Sequence, residues 1–93
     1  MQAKLVFRVH AIARMFERVI SEEEVRETLE SGETVERYPD DTPYPSRLVL
    51  GWPAGRAIHV VAADNLEDDE IVVITVYEPD PTLWEADFRR RKQ

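Results

Sequence analysis

The side chains of this sequence best suited to moving a proton or holding an anion are two histidines, an arginine, a threonine and a tyrosine. His59 interrupts a run that is otherwise apolar from Ala57 to Ala63. An imidazole in that setting needs a partner. The partner is either a backbone carbonyl, which makes His59 a core residue, or a reacting group, which makes it an acid or base titrating near neutral pH. His10 and Arg14 stand one helical turn apart, so one stripe carries an imidazole and a guanidinium. That pair is either a solvated polar face or a grip on an anionic group such as phosphate. Hairpin register then brings in the last two. If Ala63 pairs with Glu70 or Ile71, His59 falls opposite Ile74 or Thr75. The second choice gathers His59, Thr75 and Tyr77 on one face of a sheet, and a slip of one residue scatters them. The candidate catalytic set is His10, Arg14, His59, Thr75 and Tyr77.

Other chemistries lack their residues. With two histidines, no cysteine and no H-x-x-x-H spacing, no metal site is expected. The glycines, Gly32, Gly51 and Gly55, form no phosphate-cradling loop, and no nucleophile elbow is present. No cofactor is expected. Trp52 and Trp84 read as core or rim residues rather than stacking platforms.

The elements that must position these residues follow from periodicity and turn chemistry. Val9, Ile12, Phe16 and Val19 recur at helical spacing and predict a helix over 8–19 with that stripe buried. Ser21-Glu22-Glu23-Glu24 reads as a capping box opening a second helix over 22–31, with Val25 and Leu29 inside and Gly32 as its stop. Strands are predicted at about 33–38, 46–52, 57–64 and 69–77. The proline-rich stretch 39–45 forms an exposed loop. The run Ile71-Val72-Val73-Ile74 suits an interior strand buried on both faces. Asp80-Pro81 reads as the N-cap and first residue of a last helix over 81–91. The expected fold is α+β: two N-terminal helices, a four-stranded antiparallel β-meander and a C-terminal helix. The expected core is Val25, Leu29, Leu48, Leu50, Val60, Val72, Ile74 and Val76.

Ninety-three residues fit one domain, here 1–93, with a single core. The net charge of -7 argues against nucleic acid as a partner, but the charge is unevenly placed. Residues 64–87 hold nine acids and no base, whereas residues 88–93 hold four bases and no acid. Positive charge is also concentrated in 1–20 and 46–63, the blocks that contain the two histidines. The pattern is either a solvated surface or a local basic site on an acidic body. No signal peptide and no membrane span are visible, and the lack of cysteine fits a reducing compartment, so a cytoplasmic location is expected.

Several of these residues carry a family resemblance. His10-Ala11-x-x-Arg14-Met15-x-x-Arg18-x-Ile20-Ser21, Tyr38-Pro39-Asp40-Asp41 with Tyr44-Pro45, Leu50-Gly51, Arg56-x-x-His59-Val60-Val61 and Ile74-Thr75-x-Tyr77-x-Pro79 resemble domain-of-unknown-function family 4258, a group of small bacterial and archaeal proteins. The order of elements is also similar to small toxins of the RelE and BrnT type. That likeness implies a RelE-like fold and a metal-independent, toxin-type ribonuclease, with RNA or a cognate antitoxin-like protein as partner. His10, His59, Tyr77 and Arg14 would then supply base, acid and cation. The alternative expectation is a non-catalytic regulatory domain that uses the same residues to bind a protein or an anion.

Overall fold

The computed structural model describes residues 3–93. In chain order its elements are β1 (Lys4–Phe7), α1 (Val9–Arg18), α2 (Glu22–Ser31), β2 (Glu33–Tyr38), β3 (Ser46–Gly51), β4 (Ile58–Asn65) and β5 (Glu70–Tyr77). A short 3-10 turn at Pro53–Gly55 joins β3 to β4. Strands β2 to β5 form the antiparallel meander expected, but the sheet has five strands, in the order β1-β5-β4-β3-β2. The added strand, Lys-Leu-Val-Phe, runs parallel to β5 with Lys4 opposite Glu70 and Phe7 opposite Val73. The sheet is therefore mixed rather than an antiparallel four-stranded meander.

The expected C-terminal helix is the second correction. Asp80 does open a turn, accepting from the Leu83 and Trp84 amides and, through its side chain, from the Thr82 amide. The chain then leaves the helical path. Glu85 N–H donates to the carbonyl of Arg90, Phe88 takes a left-handed φ of 59°, and Trp84 forms a bridge with Arg91. Local N-capping favoured a helix, but the packing of Trp84 against the sheet overrides it, as tertiary contacts commonly override propensity. Residues 80–92 thus form a folded strap.

Both helices lie on one face of the sheet. Ala11, Met15, Ile20 and Val25 pack there with Ile58, Val60, Ala62, Val73 and Val76, and Phe7, Leu29 and Ile71 close the margin. Strand alternation sends His59 to the opposite face, since its neighbours Ile58 and Val60 point to the helices. Leu48 and Leu50 share that opposite face as partners of Val61 and His59. A β-bulge leaves Ile74 unopposed between Thr75, which pairs with Val61, and Val73, which pairs with Ala62. Val25, Leu48, Leu50, Val60 and Val76 are buried as expected, whereas Leu29, Val72 and Ile74 are only half-buried. Of the 39–45 loop, Tyr44 alone is not exposed.

The helix junction is fixed by named contacts. Ser21 Oγ accepts from the Glu24 amide at 3.1 Å and Glu24 Oε1 accepts from the Ser21 amide at 2.9 Å, the reciprocal capping box. The Arg56 guanidinium donates to the Arg18 and Val19 carbonyls, both at 3.0 Å, and pairs with Glu24. It closes the last turn of α1 and ties α2 to the β3–β4 turn. Gly32 stops α2 for a reason other than a left-handed cap: its φ is -80°, but a Cβ there would lie 2.3 Å from the Thr28 carbonyl and 2.5 Å from that of Leu50. Among the described residues, no helix is long and apolar enough to cross a membrane.

Candidate functional site

Register places Tyr77 directly opposite His59 on β5, rather than Ile74 or Thr75. Thr75 follows two positions along on the same face, so His59, Thr75 and Tyr77 do share a face of the sheet. His59 is 0% exposed. One ring nitrogen, Nε2, lies 2.9 Å from the Phe88 carbonyl, and Nδ1 lies 3.3 Å from the Tyr77 hydroxyl. A carbonyl only accepts, so Nε2 carries the proton and donates, while Nδ1 accepts from Tyr77. The neutral ring is therefore satisfied at both nitrogens. Burial pushes its pKa below 6.5, against the opposing pull of the Phe88 carbonyl and, more weakly, of Glu36. Burial likewise raises the Tyr77 phenol above its usual 10.0.

Around this pair the strap builds an aromatic and ionic lid. The Trp84 ring meets His59 edge-on at 4.5 Å, and Tyr77 meets it from another side at 5.3 Å. The Arg91 guanidinium sits 4.6 Å from the centre of the Trp84 ring, a cation–π contact. Its Nε reaches Glu36 at 3.4 Å, and Arg89 reaches Glu33 at 2.8 Å, so two strap arginines grip two carboxylates of β2. Tyr38 donates to Glu36 Oε1 at 2.6 Å; burial and that carboxylate push its phenol to about 12. Beside the strap the same face opens into a groove of about 490 Å³, lined by Tyr38, Asp40, Asp41, Ser46, Val61 and Ile74 among others.

His10 and Arg14 lie elsewhere. His10 is exposed, and Arg14 pairs with Glu17 at 3.6 Å, on the outer side of a helix whose inner side packs on the other face of the sheet. The sheet separates them from His59, so the five candidates fall into two groups and do not converge. Of the residues that complete the His59 cluster, Trp84 was expected in the core or rim and Tyr38 belongs to one of the resembling motifs, but no sequence signal joined them, or Phe88, Glu36 and Arg91, to His59. A backbone carbonyl is invisible in a sequence, and nothing local links Glu36 to Arg91.

A second surface appears where α1 departs from expectation. The residues it buries are Ala11 and Met15, not the Val9-Ile12-Phe16-Val19 stripe. Val9 is 83% exposed, Phe16 and Val19 81%, and Ile12 42%. Ile12, Phe16 and Val19 line a groove of about 570 Å³ formed with Phe7, Met15, Ile20 and the first turn of α2. Contiguous apolar exposure of this kind marks a binding surface more often than isolated exposed side chains do.

The family model described as "Domain of unknown function (DUF4258)" matches residues 7–78, and the chain belongs to that family. The matched span takes in both helices and β2 to β5, and it ends before the strap begins. No curated protein and no solved structure matches the chain.

Proposed function

We propose that the protein is a non-catalytic protein-binding domain whose docking surface is the outer side of α1 with the groove beside it. The observation that carries this reading is the exposure, above four-fifths, of Val9 and Phe16 on α1 and of Val19 at its C-terminal cap. Leaving large apolar side chains in water forgoes roughly 1.5–3 kcal/mol each. The occupant is an amphipathic helical segment of another protein, the usual ligand of an apolar helical groove. Charge selects its sequence. Glu22 stands exposed and unpaired, among the described contacts, on the first turn of α2 where it lines the groove, so the segment should carry a basic residue at that end.

The ribonuclease reading draws less support. It needs a base, an acid and a cation at one phosphate, and His59 has both nitrogens engaged under the strap while His10 and Arg14 stand across the sheet.

A photo-crosslinking amino acid at position 16 would identify the partner in cells, and the purified partner would then be titrated. Phe16→Asp should weaken binding at least about tenfold, a loss of roughly 1.4 kcal/mol or more for a central apolar anchor. Unchanged affinity would overturn the reading. A wild-type dimer in sedimentation that Phe16→Asp dissolves would instead assign this face to self-association. RNA cleavage by the wild type that His59→Ala removes would restore the enzymatic reading.

A further inference from the structure

We propose that Asp80–Lys92 is an internal ligand, and that the sheet face beneath it is a peptide-binding site for a segment carrying an aromatic residue followed by arginines. This site lies across the sheet from the α1 groove and stands independently of it.

The first observation is how the strap is attached. Its backbone hydrogen bonds, among the described residues, close on the strap itself: Leu83 and Trp84 to Asp80, Phe88 to Glu85, Glu85 to Arg90 and Lys92 to Leu83. None enters the ladder of a strand. The sheet can therefore keep every interstrand bond with the strap lifted. Pro79 and Pro81 flank Asp80 and give it a stiff exit from β5. The family match, moreover, ends at residue 78, so the strap lies beyond the part of the chain the family defines.

The second observation is what holds it down. The aromatic plug is Trp84, set against the His59 ring, and a second strap ring, Phe88, leans on Trp52 at 5.9 Å. There is one backbone carbonyl, that of Phe88, taken by His59 Nε2–H. Two arginines, Arg89 and Arg91, rest on Glu33 and Glu36. A plug, a backbone grip and paired charges are the parts of a peptide-recognition site. The receiving groups, Glu33 and Glu36 on β2, His59 on β4 and Trp52 after β3, all lie within the matched family region. A peptide of the same chemistry supplied in trans would meet the same receivers. A longer one would continue into the adjoining groove, where Asp40 and Asp41 extend the acidic row begun by Glu33 and Glu36.

The test uses the full chain and a fluorescent synthetic peptide of residues 80–93. Arg89→Glu with Arg91→Glu should loosen the strap while leaving the receiving face whole, as far-UV circular dichroism would verify. The peptide should then bind this variant at least about tenfold more tightly than the wild type, because the cis competitor is weakened. Adding Glu33→Gln and Glu36→Gln should remove that gain, whereas Phe16→Asp should leave it intact. Hydrogen exchange on the unaltered protein gives a second reading. The Glu85 and Lys92 amides should exchange at least about 100-fold faster than those of Val60 and Val76, since the strap opens without global unfolding. Absence of peptide binding by the loosened variant, or binding indifferent to the Glu33 and Glu36 changes, would overturn the proposal. So would strap amides as protected as the sheet.

Discussion

Replacing His59 by phenylalanine isolates the two hydrogen bonds of the imidazole while nearly keeping its shape. The ring is wholly buried between Trp84 and Tyr77, so a benzene ring can occupy the same edge-on position. What is lost is the donor to the Phe88 carbonyl and the acceptor for the Tyr77 hydroxyl. A carbonyl stranded in such a place costs about 1–3 kcal/mol. The Tyr77 hydroxyl belongs to a half-buried residue and can turn towards water, so its share is smaller. Extra apolar burial offsets part of the loss, which leaves a net destabilisation of about 1–2 kcal/mol. His59→Ala removes the ring as well and opens a cavity, for a loss of about 3 kcal/mol or more. Urea melts followed by circular dichroism would give both values. In a Trp52→Phe background, Trp84 emission reports the strap separately, and it should shift to the red in the alanine variant as the ring becomes wet. If His59→Phe unfolds at the wild-type urea concentration and Trp84 emission does not move in His59→Ala, the carbonyl contact does not hold the strap. The account of the site would then fail.

Two further outcomes follow from the same structure. Burial holds the folded pKa of His59 below 6.5, so the unfolded chain binds the proton more readily. The contribution is complete above about pH 6.5 and is lost as pH falls from there towards the folded value. His59→Phe should abolish that part of the acid sensitivity, measured as urea midpoints between pH 7 and pH 5 (roughly the span over which an ordinary histidine titrates), and an identical pH profile in the variant would contradict it. Glu24, lowered mainly by the Ser21 amide, acts only below its ordinary 4.5 and so leaves that window clear. Along β5, Val73→Ala should cost about 2 kcal/mol because Val73 is fully buried under the helices, whereas Ile74→Ala, at the bulge and half-buried, should cost about 1 kcal/mol or less. Denaturant melts showing the reverse order would mean that the bulge is misplaced.

The parts of the fold legible in the sequence are those where one local signal had one outcome. The Ser21–Glu24 box and the β2 to β5 strands each rested on local capping or turn signals, and each is present. Sheet register beyond β4 was less legible: Ala63 pairs with Val72 rather than Glu70 or Ile71, and the bulge at Ile74 moves the count by a further residue that no sequence feature announces. The β1 strand was missed because Lys4–Phe7 is short and pairs with residues at the far end of the chain. The strap was misread as a helix because Asp80-Pro81 is a sound N-cap signal and the competing force, Trp84 seeking the His59 ring, is tertiary.

The α1 stripe is the instructive failure. Ala11 and Met15 together with Val9, Ile12, Ala13 and Phe16 give the helix an apolar arc wider than one sheet can cover. Periodicity identifies such an arc but not which flank turns inward. Small Ala11 settles it, since it lets the helix lie close to β5 and commits the bulkier flank to solvent. An apolar arc too wide for its own core is a property of the sequence itself, readable without coordinates as surplus hydrophobicity. Its charged complement, His10, Arg14 and Arg18, is the stripe that had suggested an anion site. On the folded helix that stripe lies opposite the surplus apolar flank and across the sheet from His59, and neither His10 nor Arg14 lines the α1 groove, so the residues first read as one catalytic centre fall on two separate faces of the molecule.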